Sequence, residues 1–399
     1  MAIGRKRVVV AAVLAAGLIV QVGCGDTEPT VATQPESLAA GTAAAVSETA
    51  ETVDPTHVVI DNAMAGWIAT GLGVNAGDGL ALFGSGTWEA QGITFEPRHV
   101  LWYRIGENGP AVNFAANQEI FSATDTGELF ITLRPLGVYW PDERGTYPAG
   151  FTELPALPVA LNVEAVRLSG DAEDALQAMA DNGHQQAGLA LTTLAGRRVL
   201  PEGFAYLSYL GRSNVWADGT AKGGPGIHAQ TDDDVGIVKK VLDLPLTAET
   251  TVSFDWLYES LPALGPETEA QFHDYLSIAI EFDNGQDLTW MWSKELDAES
   301  HFGCPLEWWD SRETHYVLQS GPEGLGEWHS HARNIVADYE ASIDLPVPER
   351  IVGVWFIANS LFGRQRGAAS FANVVISSDG VETSVFDSDP TVQAGSTTD

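Results

Sequence analysis

Residues 290–316 hold four tryptophans, two histidines and one cysteine, side chains that can bind sugars or metals. The most concentrated group is Trp308, Trp309, Asp310 and Arg312. An indole face can stack on the apolar face of a sugar ring, while carboxylate and guanidinium groups hydrogen-bond to its hydroxyls. Neighbours on a strand point to opposite faces, so at least one indole is expected at the surface. We predict a carbohydrate contact here; the alternative is packing over a loop.

A second aromatic pair, Trp290 and Trp292, lies two residues apart and therefore on one face of a strand. Large aromatic side chains dominate protein cores, which favours an interior position for the pair. If that face is instead the concave outer face of a sandwich, Trp292 lies in the floor of a groove. We keep Trp292 as a ligand-binding candidate, together with Arg333.

Acidic turns in the chain could bind calcium, which prefers hard oxygen ligands from loops. The stretch "QTDDDVG" places Asp232 and Asp234 directly before a strand pattern. Calcium is therefore the cofactor we expect, if there is one. The alternative is a solvated acidic turn.

A transition-metal site is the other metal hypothesis, although no CxxC or HExxH spacing occurs. His329 and His331 share one strand face, as a chelating pair would. Three further residues could complete the shell: His301, Cys304 and His315. Scattered, unrelated histidines are the alternative.

The charge balance limits the possible partners. The chain has 20 Lys and Arg residues against 54 Asp and Glu residues, a net charge of -34 at pH 7. Such a chain repels phosphate backbones, so a nucleic-acid partner is excluded. No phosphate-binding glycine motif occurs, and Ser320 lacks the GxSxG context of a nucleophile, so no catalytic residue is predicted.

Alternating apolar residues predict an all-β chain. "ELFITLR" and "TVSFDWLYES" have the period of two that is typical of half-buried strands, and Gly-rich turns separate such runs. We predict two tandem antiparallel β-sandwich (jelly-roll) domains joined by a short helical connector. The predicted segments are residues 57–168 for the first domain, 169–199 for the connector and 200–378 for the second domain. Asp171 is expected to cap the connector helix.

The N-terminus has the features of an export signal. A basic start is followed by an apolar run too short to favour a membrane span, and a small residue precedes Cys24. We predict a lipoprotein signal peptide over 1–23 and lipidation of Cys24. Residues 24–56 and 379–399 lack core patterns and are predicted to be a disordered tether and a disordered acidic tail. Gly25 after the cysteine favours the outer membrane.

Two resemblances extend these predictions. By "HDYLSIAIEF", "LTWMWSKEL" and "HYVLQSGPEGLGEWHSHARNIVADYE", residues 200–378 resemble the bacterial domain-of-unknown-function family 3047, which implies a galactose-binding-like jelly-roll. By "NAGDGLALFGSGTW" and "LWYRIGENG", residues 57–168 resemble the PA-I type of galactophilic calcium lectin. That second resemblance implies that Asp142 and Thr146, in the loop "GVYWPDERGTYPAG", are calcium ligands.

The sequence thus predicts a lipid-anchored cell-envelope protein that binds carbohydrate through its β-sandwich domains. Its partners would be the membrane, through the lipid anchor, and an envelope glycan. One alternative is a polysaccharide-acting enzyme, either a lyase or a glycoside hydrolase, in which Arg333 acts with a His or Asp. The other is a structural envelope protein that binds other proteins.

Overall fold

The structure, a computed structural model, describes residues 55–60, 66–90, 93–135, 138–147 and 159–387. The predicted signal peptide, Cys24 and nearly all of the tether lie outside these residues. In the described part of the chain, no helix is long and apolar enough to cross a membrane.

In the described residues of the first sandwich there are nine strands. They are β1 (Thr56–Ile60), β2 (Ile68–Val74), β3 (Gly79–Ala90), β4 (Ile93–Phe95), β5 (Leu101–Ile105), β6 (Val112–Asn113), β7 (Gln118–Ser122), β8 (Gly127–Leu133) and β9 (Val159–Leu168), with helix α1 (Pro97–Val100) between β4 and β5. One sheet has the order β1-β9-β3-β4, with β7 also paired to β3, and the other has the order β2-β8-β5-β6. Alternation along β8 and β9 buries Leu129, Ile131, Leu161 and Val163 between the sheets, as predicted.

The connector contains two helices, α2 (Ala172–Asp181) and α3 (Gln185–Ala195). The Asp171 carboxylate accepts hydrogen bonds from the backbone N–H groups of Glu173 and Asp174, so the predicted N-cap is confirmed. Apolar side chains of both helices, including Leu176, pack on the outer face of the first sandwich. The connector is therefore a layer on the first sandwich.

The second sandwich has two larger sheets. Its strands are β10 (Phe204–Tyr206), β11 (Trp216–Ala221), β12 (Gly224–Thr231), β13 (Val235–Pro245), β14 (Thr251–Ser260), β15 (Tyr275–Phe282), β16 (Asp287–Ser293), β17 (His301–Gly303), β18 (Glu313–Ser320), β19 (Trp328–Asn334), β20 (Arg350–Asn359), β21 (Gly367–Ser378) and β22 (Val381–Ser384), and helix α4 (Ile335–Ser342) follows β19. The orders are β10-β13-β20-β15-β16-β18-β17 and β11-β12-β21-β14-β19, with β22 beside β21. Of the pairings between described strands, only β16 with β18 is parallel. The all-β sandwich prediction is confirmed.

The core of the second sandwich is rich in tryptophan. Trp256, Trp290 and Trp292 all point between the two sheets and are at most 1% exposed. The indole N–H of Trp292 donates to the carbonyl of Gly321. The prediction that Trp292 contacts a ligand is therefore wrong, because its face of β16 is the inner one.

A long segment covers the outer face of the seven-stranded sheet. This covering segment, residues 294–312, includes β17 and a 3₁₀ turn at Trp309–Ser311. Cys304 and Trp309 from the segment pack on Met291, Val317 and Trp355 of the sheet. The sheet is therefore buried on both faces over this area.

Part of the predicted disordered tail is ordered. Strand β22 pairs antiparallel with β21, and the following Val385 is fully buried in the core. The ammonium of Lys240 donates to the carbonyls of Val385 and Asp387. The prediction of disorder from residue 379 is wrong for residues 381–387, and residues 388–399 lie outside the described part.

The two sandwiches contact each other through polar groups beside α1. The Arg98 guanidinium lies 2.9 Å from the Asp234 carboxylate, just before β13. His99 donates from Nε2 to the carbonyl of Asp233 (2.8 Å) and accepts at Nδ1 from the backbone N–H of Glu96 (3.0 Å). These bonds require the neutral imidazole, because only then can one ring nitrogen accept.

Candidate functional site

The predicted carbohydrate contact lies where the two sandwiches meet. We call the group Tyr139, Tyr209, Trp308, Trp309 and Arg312 the junction patch. Tyr139 comes from the first sandwich, and its ring stacks on Trp308 with centroids 4.7 Å apart and planes at 26°. Tyr209 and Trp309 meet Trp308 at steeper angles, with centroids 5.6 and 4.9 Å away. The structure therefore places a cluster of rings at the junction, with contributions from both sandwiches.

Exposure separates the two adjacent tryptophans. Trp308 is 40% exposed and is the only exposed Phe, Tyr or Trp among the described residues. Trp309 is 6% exposed, and its indole N–H donates to the Tyr139 hydroxyl (3.1 Å). The prediction that Trp309 contacts a ligand is wrong, because its side chain packs from the covering segment onto the sheet and its N–H bonds to Tyr139.

The backbone of Trp308 is in an unfavourable conformation. Its φ of 77° and ψ of -41° lie near the rare γ-turn region, which non-glycine residues seldom adopt. Conformations of this kind cost roughly 1–3 kcal/mol and cluster at functional sites. This strained conformation directs the Trp308 indole to the surface, while the Trp309 indole points toward the sheet.

Polar groups surround the exposed indole. Asp310 is exposed two residues after Trp308. The Arg312 guanidinium lies 5.3 Å from the centroid of the Trp308 ring and 3.4 Å from the Glu281 carboxylate. Arg312 is thus held against the aromatic cluster by an ion pair from the sheet below. A ligand at Trp308 would meet an aromatic face, a carboxylate and the edge of a guanidinium.

The loop that resembles the lectin calcium site lies next to the junction patch. Trp140, adjacent to Tyr139, packs on Trp67 with ring centroids 5.7 Å apart. Gly145, at φ 73°, lies against both indoles, and a Cβ there would come within 2.6 Å of Trp67. Only glycine fits at this position, so the loop and the aromatic rings are built together.

Asp142 and Thr146, the predicted calcium ligands of this loop, contact each other. The Thr146 hydroxyl donates to Asp142 Oδ2 (2.7 Å), and the backbone N–H groups of Arg144 and Thr146 donate to Oδ1. Partial burial raises the pKa of Asp142, but these hydrogen bonds outweigh it and hold the pKa below its usual value. The carboxylate is therefore ionised and exposed, and calcium at this loop stays a prediction.

The other predicted calcium pair lies beside the contact between the sandwiches. The Asp234 carboxylate accepts from Arg98 Nη1 and from the backbone N–H of Val235, whereas Asp232 is exposed. Burial raises the pKa of Asp234 to about 6, in spite of the opposing effect of Arg98. Asp234 belongs to the contact between the sandwiches, and calcium at Asp232 and Asp234 stays a prediction.

Arg333 is held by two carboxylates. Its guanidinium makes two bonds to the Asp338 carboxylate, at 2.8 and 2.7 Å, and two to Glu299, both at 3.1 Å. Asp338 in turn accepts from the indole N–H of Trp290. The residue anchors α4 and the covering segment to the core, and its role as a ligand contact stays a prediction.

Two residues of the transition-metal hypothesis do come together. Cys304 and His315 lie with His273 and Glu313 in one buried cluster, whose ligand atoms are all within 4.8 Å of one another. Two members of the cluster were not among the predicted ligands. Glu313 lies two residues from His315 on one face of β18, and His273 lies just before β15.

The remaining three histidines of that hypothesis lie elsewhere. His301 is exposed, His329 Nε2 lies 2.9 Å from the carbonyl of Gly324, and His331 lies 3.3 Å from the Gln319 side chain.

A polar cleft of about 290 Å³ lies on the other sheet. It has no Phe, Tyr or Trp in its lining, which includes Arg198, His228 and Glu259.

Residues 209–375 match the family described as "Protein of unknown function (DUF3047)", which confirms the resemblance predicted for residues 200–378. No curated protein is significantly similar to the chain. Three of the solved structures that match the chain do so at low identity and low TM-score. The xyloglucanase domain of NopAA from Sinorhizobium fredii is 9% identical, with a TM-score of 0.29, over 45% of this chain and 95% of that one.

The second is the family 11 carbohydrate-binding module of the cellulase Lic26A-Cel5E from Clostridium thermocellum, with 14% identity and a TM-score of 0.22 over 44% of this chain and 86% of that one. The third is SGBP-B from a xyloglucan utilization locus in Bacteroides uniformis, with 10% identity and a TM-score of 0.23 over 76% of this chain and 69% of that one. At these identities and TM-scores the likenesses carry no argument about this chain.

Proposed function

We propose that this protein is an exported, lipid-anchored binder of neutral glycans, and that the glycan stacks on Trp308. The observation that carries the proposal is the exposed Trp308 indole, held outward by a strained turn and backed by Tyr139. An indole presented at the surface among other aromatic rings can be covered by the apolar face of a pyranose. Asp310 and Arg312 supply hydrogen-bonding groups for the hydroxyls of that sugar.

The charge of the chain selects the class of glycan. A protein with a net charge of -34 repels polyanions at long range, and the Arg312 guanidinium is paired with the carboxylates of Glu281 and Asp287. Uronate-rich or sulfated polysaccharides are therefore disfavoured. Neutral hexose or pentose polymers meet no such barrier.

Lipid anchoring rests on the sequence around Cys24. A basic start, an apolar run and a small residue before the cysteine support processing and lipidation at that residue, followed by residence in the outer membrane. Mass spectrometry of the N-terminal peptide tests this directly. A Cys24→Ala variant that stays in the membrane fraction as firmly as the wild type would contradict the anchor.

The binding proposal is tested with purified protein on a glycan array, followed by calorimetry with the best neutral oligosaccharide. Trp308→Ala is expected to weaken binding at least about ten-fold, equivalent to about 1.4 kcal/mol. Trp328→Ala is the matched control, because Trp328 is half-buried on the edge strand β19 away from the junction patch. The affinity of the Trp328→Ala variant for the oligosaccharide should stay within about two-fold of that of the wild type.

Equal effects of the two substitutions would contradict the site. Failure of the folded protein to bind any neutral glycan would contradict the function. Loss of binding in Arg198→Ala together with normal binding in Trp308→Ala would move the site to the polar cleft.

A further inference from the structure

Four metal-ligating side chains converge beneath the covering segment, in a place that the carbohydrate site does not use. Cys304 belongs to the covering segment, Glu313 and His315 belong to β18, and His273 lies just before β15. All four are buried, and their ligand atoms lie within 4.8 Å of one another. The cluster thus joins three separate parts of the chain.

The hydrogen bonds orient these ligands toward a common point. His273 donates from Nδ1 to the carbonyl of Glu267 (2.6 Å), which leaves the lone pair of Nε2 facing Cys304 Sγ at 3.3 Å. A metal-bound histidine is commonly held in this way by a backbone carbonyl on its other nitrogen. Glu313 is held similarly, by the hydroxyl of Tyr275 at 2.8 Å.

His315 is the observation that points to a missing partner. It is fully buried, and neither of its ring nitrogens has a hydrogen-bond partner. Its Nε2 atom lies 3.7 Å from Glu313 Oε1, too far for a hydrogen bond. Buried polar atoms are almost always paired, so an unpaired imidazole beside a thiol and a carboxylate calls for a ligand.

The distances agree with tetrahedral coordination. Bonds of about 2.0–2.3 Å to nitrogen, oxygen and sulfur place neighbouring ligand atoms of a tetrahedron roughly 3.3–3.7 Å apart. The Cys304–His273 and His315–Glu313 separations, 3.3 and 3.7 Å, already have this length. The widest separation in the cluster must close by roughly 1 Å, within the reach of side-chain adjustment.

We infer that His273, Cys304, Glu313 and His315 bind one divalent transition-metal ion of the zinc class. A thiolate and two imidazoles suit zinc and disfavour calcium or magnesium, which take oxygen ligands. Four protein ligands in a buried site leave no open position for substrate, so the ion has a structural role. It fastens the covering segment, through Cys304, to β18. The inference does not depend on the proposed glycan binding.

The test uses the full-length chain, stripped by chelation and dialysed, then loaded with zinc or with cobalt as its spectroscopic substitute. We expect one zinc per chain by elemental analysis. We also expect a cobalt spectrum with intense visible bands, typical of tetrahedral geometry, and a near-ultraviolet thiolate-to-cobalt charge-transfer band. Cys304→Ser should lose the charge-transfer band. Cys24→Ser is the matched control, since it removes the other cysteine of the chain and should keep the band.

Two histidine variants complete the experiment. His315→Gln should weaken zinc binding at least about ten-fold, and His301→Gln, which changes an exposed histidine, should not. A folded wild-type chain that binds no zinc above background overturns the inference, as does a cobalt spectrum without a thiolate band. If Cys304→Ser fails to fold, the wild-type and Cys24→Ser spectra still decide whether Cys304 is a ligand.

Discussion

Tyr139 in the first sandwich stacks on Trp308 in the second, and its hydroxyl accepts a hydrogen bond from the adjacent Trp309. Two stretches that the sequence marked separately, the lectin-like loop and the Trp308–Trp309 pair, therefore form one surface. A ligand that covers Trp308 also lies near a residue of the other sandwich. The proposed glycan site would therefore include residues of both sandwiches.

The first prediction separates the two contacts of Tyr139. Tyr139→Phe removes the bond to Trp309, costs about 1 kcal/mol of unfolding free energy and leaves glycan affinity nearly unchanged. Tyr139→Ala also removes the stacked ring, which lowers the unfolding free energy by about 0.5–1.5 kcal/mol more. It weakens glycan binding because the Trp308 indole loses the ring that supports it. Urea unfolding and calorimetry measure the two effects. Equal glycan affinities for the Phe and Ala variants would show that the stack does not position Trp308.

The second prediction concerns the stability of the contact between the sandwiches in acid. Burial and the neighbouring Arg98 lower the pKa of His99 from 6.5 to about 4. The unfolded chain therefore takes up a proton near pH 6.5, whereas the folded chain does so only near pH 4. The contribution of His99 to the unfolding free energy is fully present above pH 6.5. It is lost as the pH falls toward 4, by up to roughly 3 kcal/mol.

The check is the unfolding free energy of the wild type and of His99→Gln between pH 7 and pH 4.5. Glutamine can still accept from Glu96 and donate to Asp233, but it does not titrate. The variant should lose less stability across this range. Identical pH profiles would contradict the lowered pKa of His99. The charged groups around this residue are the same in both proteins: Arg98, Arg364 and Glu96.

The strained turn supplies the third prediction. At the Trp308 position, Trp308→Gly and Trp308→Ala both remove the indole and should abolish glycan binding alike. Glycine adopts φ values near 77° without steric cost, whereas alanine keeps the strain. The glycine variant should therefore be more stable than the alanine variant by about 1 kcal/mol in urea unfolding. The opposite order would show that the turn is relaxed in solution.

The strand pattern and the sandwich fold were predictable because alternation is a local property. The run Val252, Phe254, Trp256, Tyr258 is buried between the sheets, as its period of two indicates. The N-cap at Asp171 was predictable for the same reason, since a cap depends only on its neighbours in the chain. These features need no knowledge of how the sheets pack.

The position of each face relative to water was less predictable. Alternation places Trp292 on one side of a strand but cannot say that this side faces the second sheet. It also does not reveal that the covering segment buries the opposite face, so that Trp309 lies inside and Trp308 outside. Arg333 pairs with Asp338, and Asp234 pairs with Arg98. Both pairings are fixed by tertiary packing and not by sequence spacing.

The buried ligand cluster shows the same division between local and tertiary information. Glu313 and His315 have the spacing of two that places both on one face of β18, so half of the cluster could be predicted from the sequence. His273 reaches it only because β15 lies beside β16, which in turn pairs with β18. No sequence spacing indicates that neighbourhood.

The last prediction joins the inferred metal to the proposed glycan site. Cys304 lies within the covering segment, four residues before Trp308, so an ion bound there fixes the start of the turn that presents the indole. Chelation should free the segment, because a structural ion stabilises only the folded arrangement that binds it. Limited proteolysis should then cut within residues 294–312 several times faster, and glycan affinity should fall while circular dichroism stays that of a β-sandwich.

Adding zinc back should restore both the protection and the affinity in the wild type but not in His315→Gln. Affinity that survives chelation, with proteolysis accelerated as expected, would mean that packing by Trp309 on Trp355 is enough to hold Trp308 in place. Unchanged proteolysis after verified loss of the ion would show that the metal does not fasten this segment at all. The two measurements therefore distinguish a metal that shapes the binding surface from one that only adds stability.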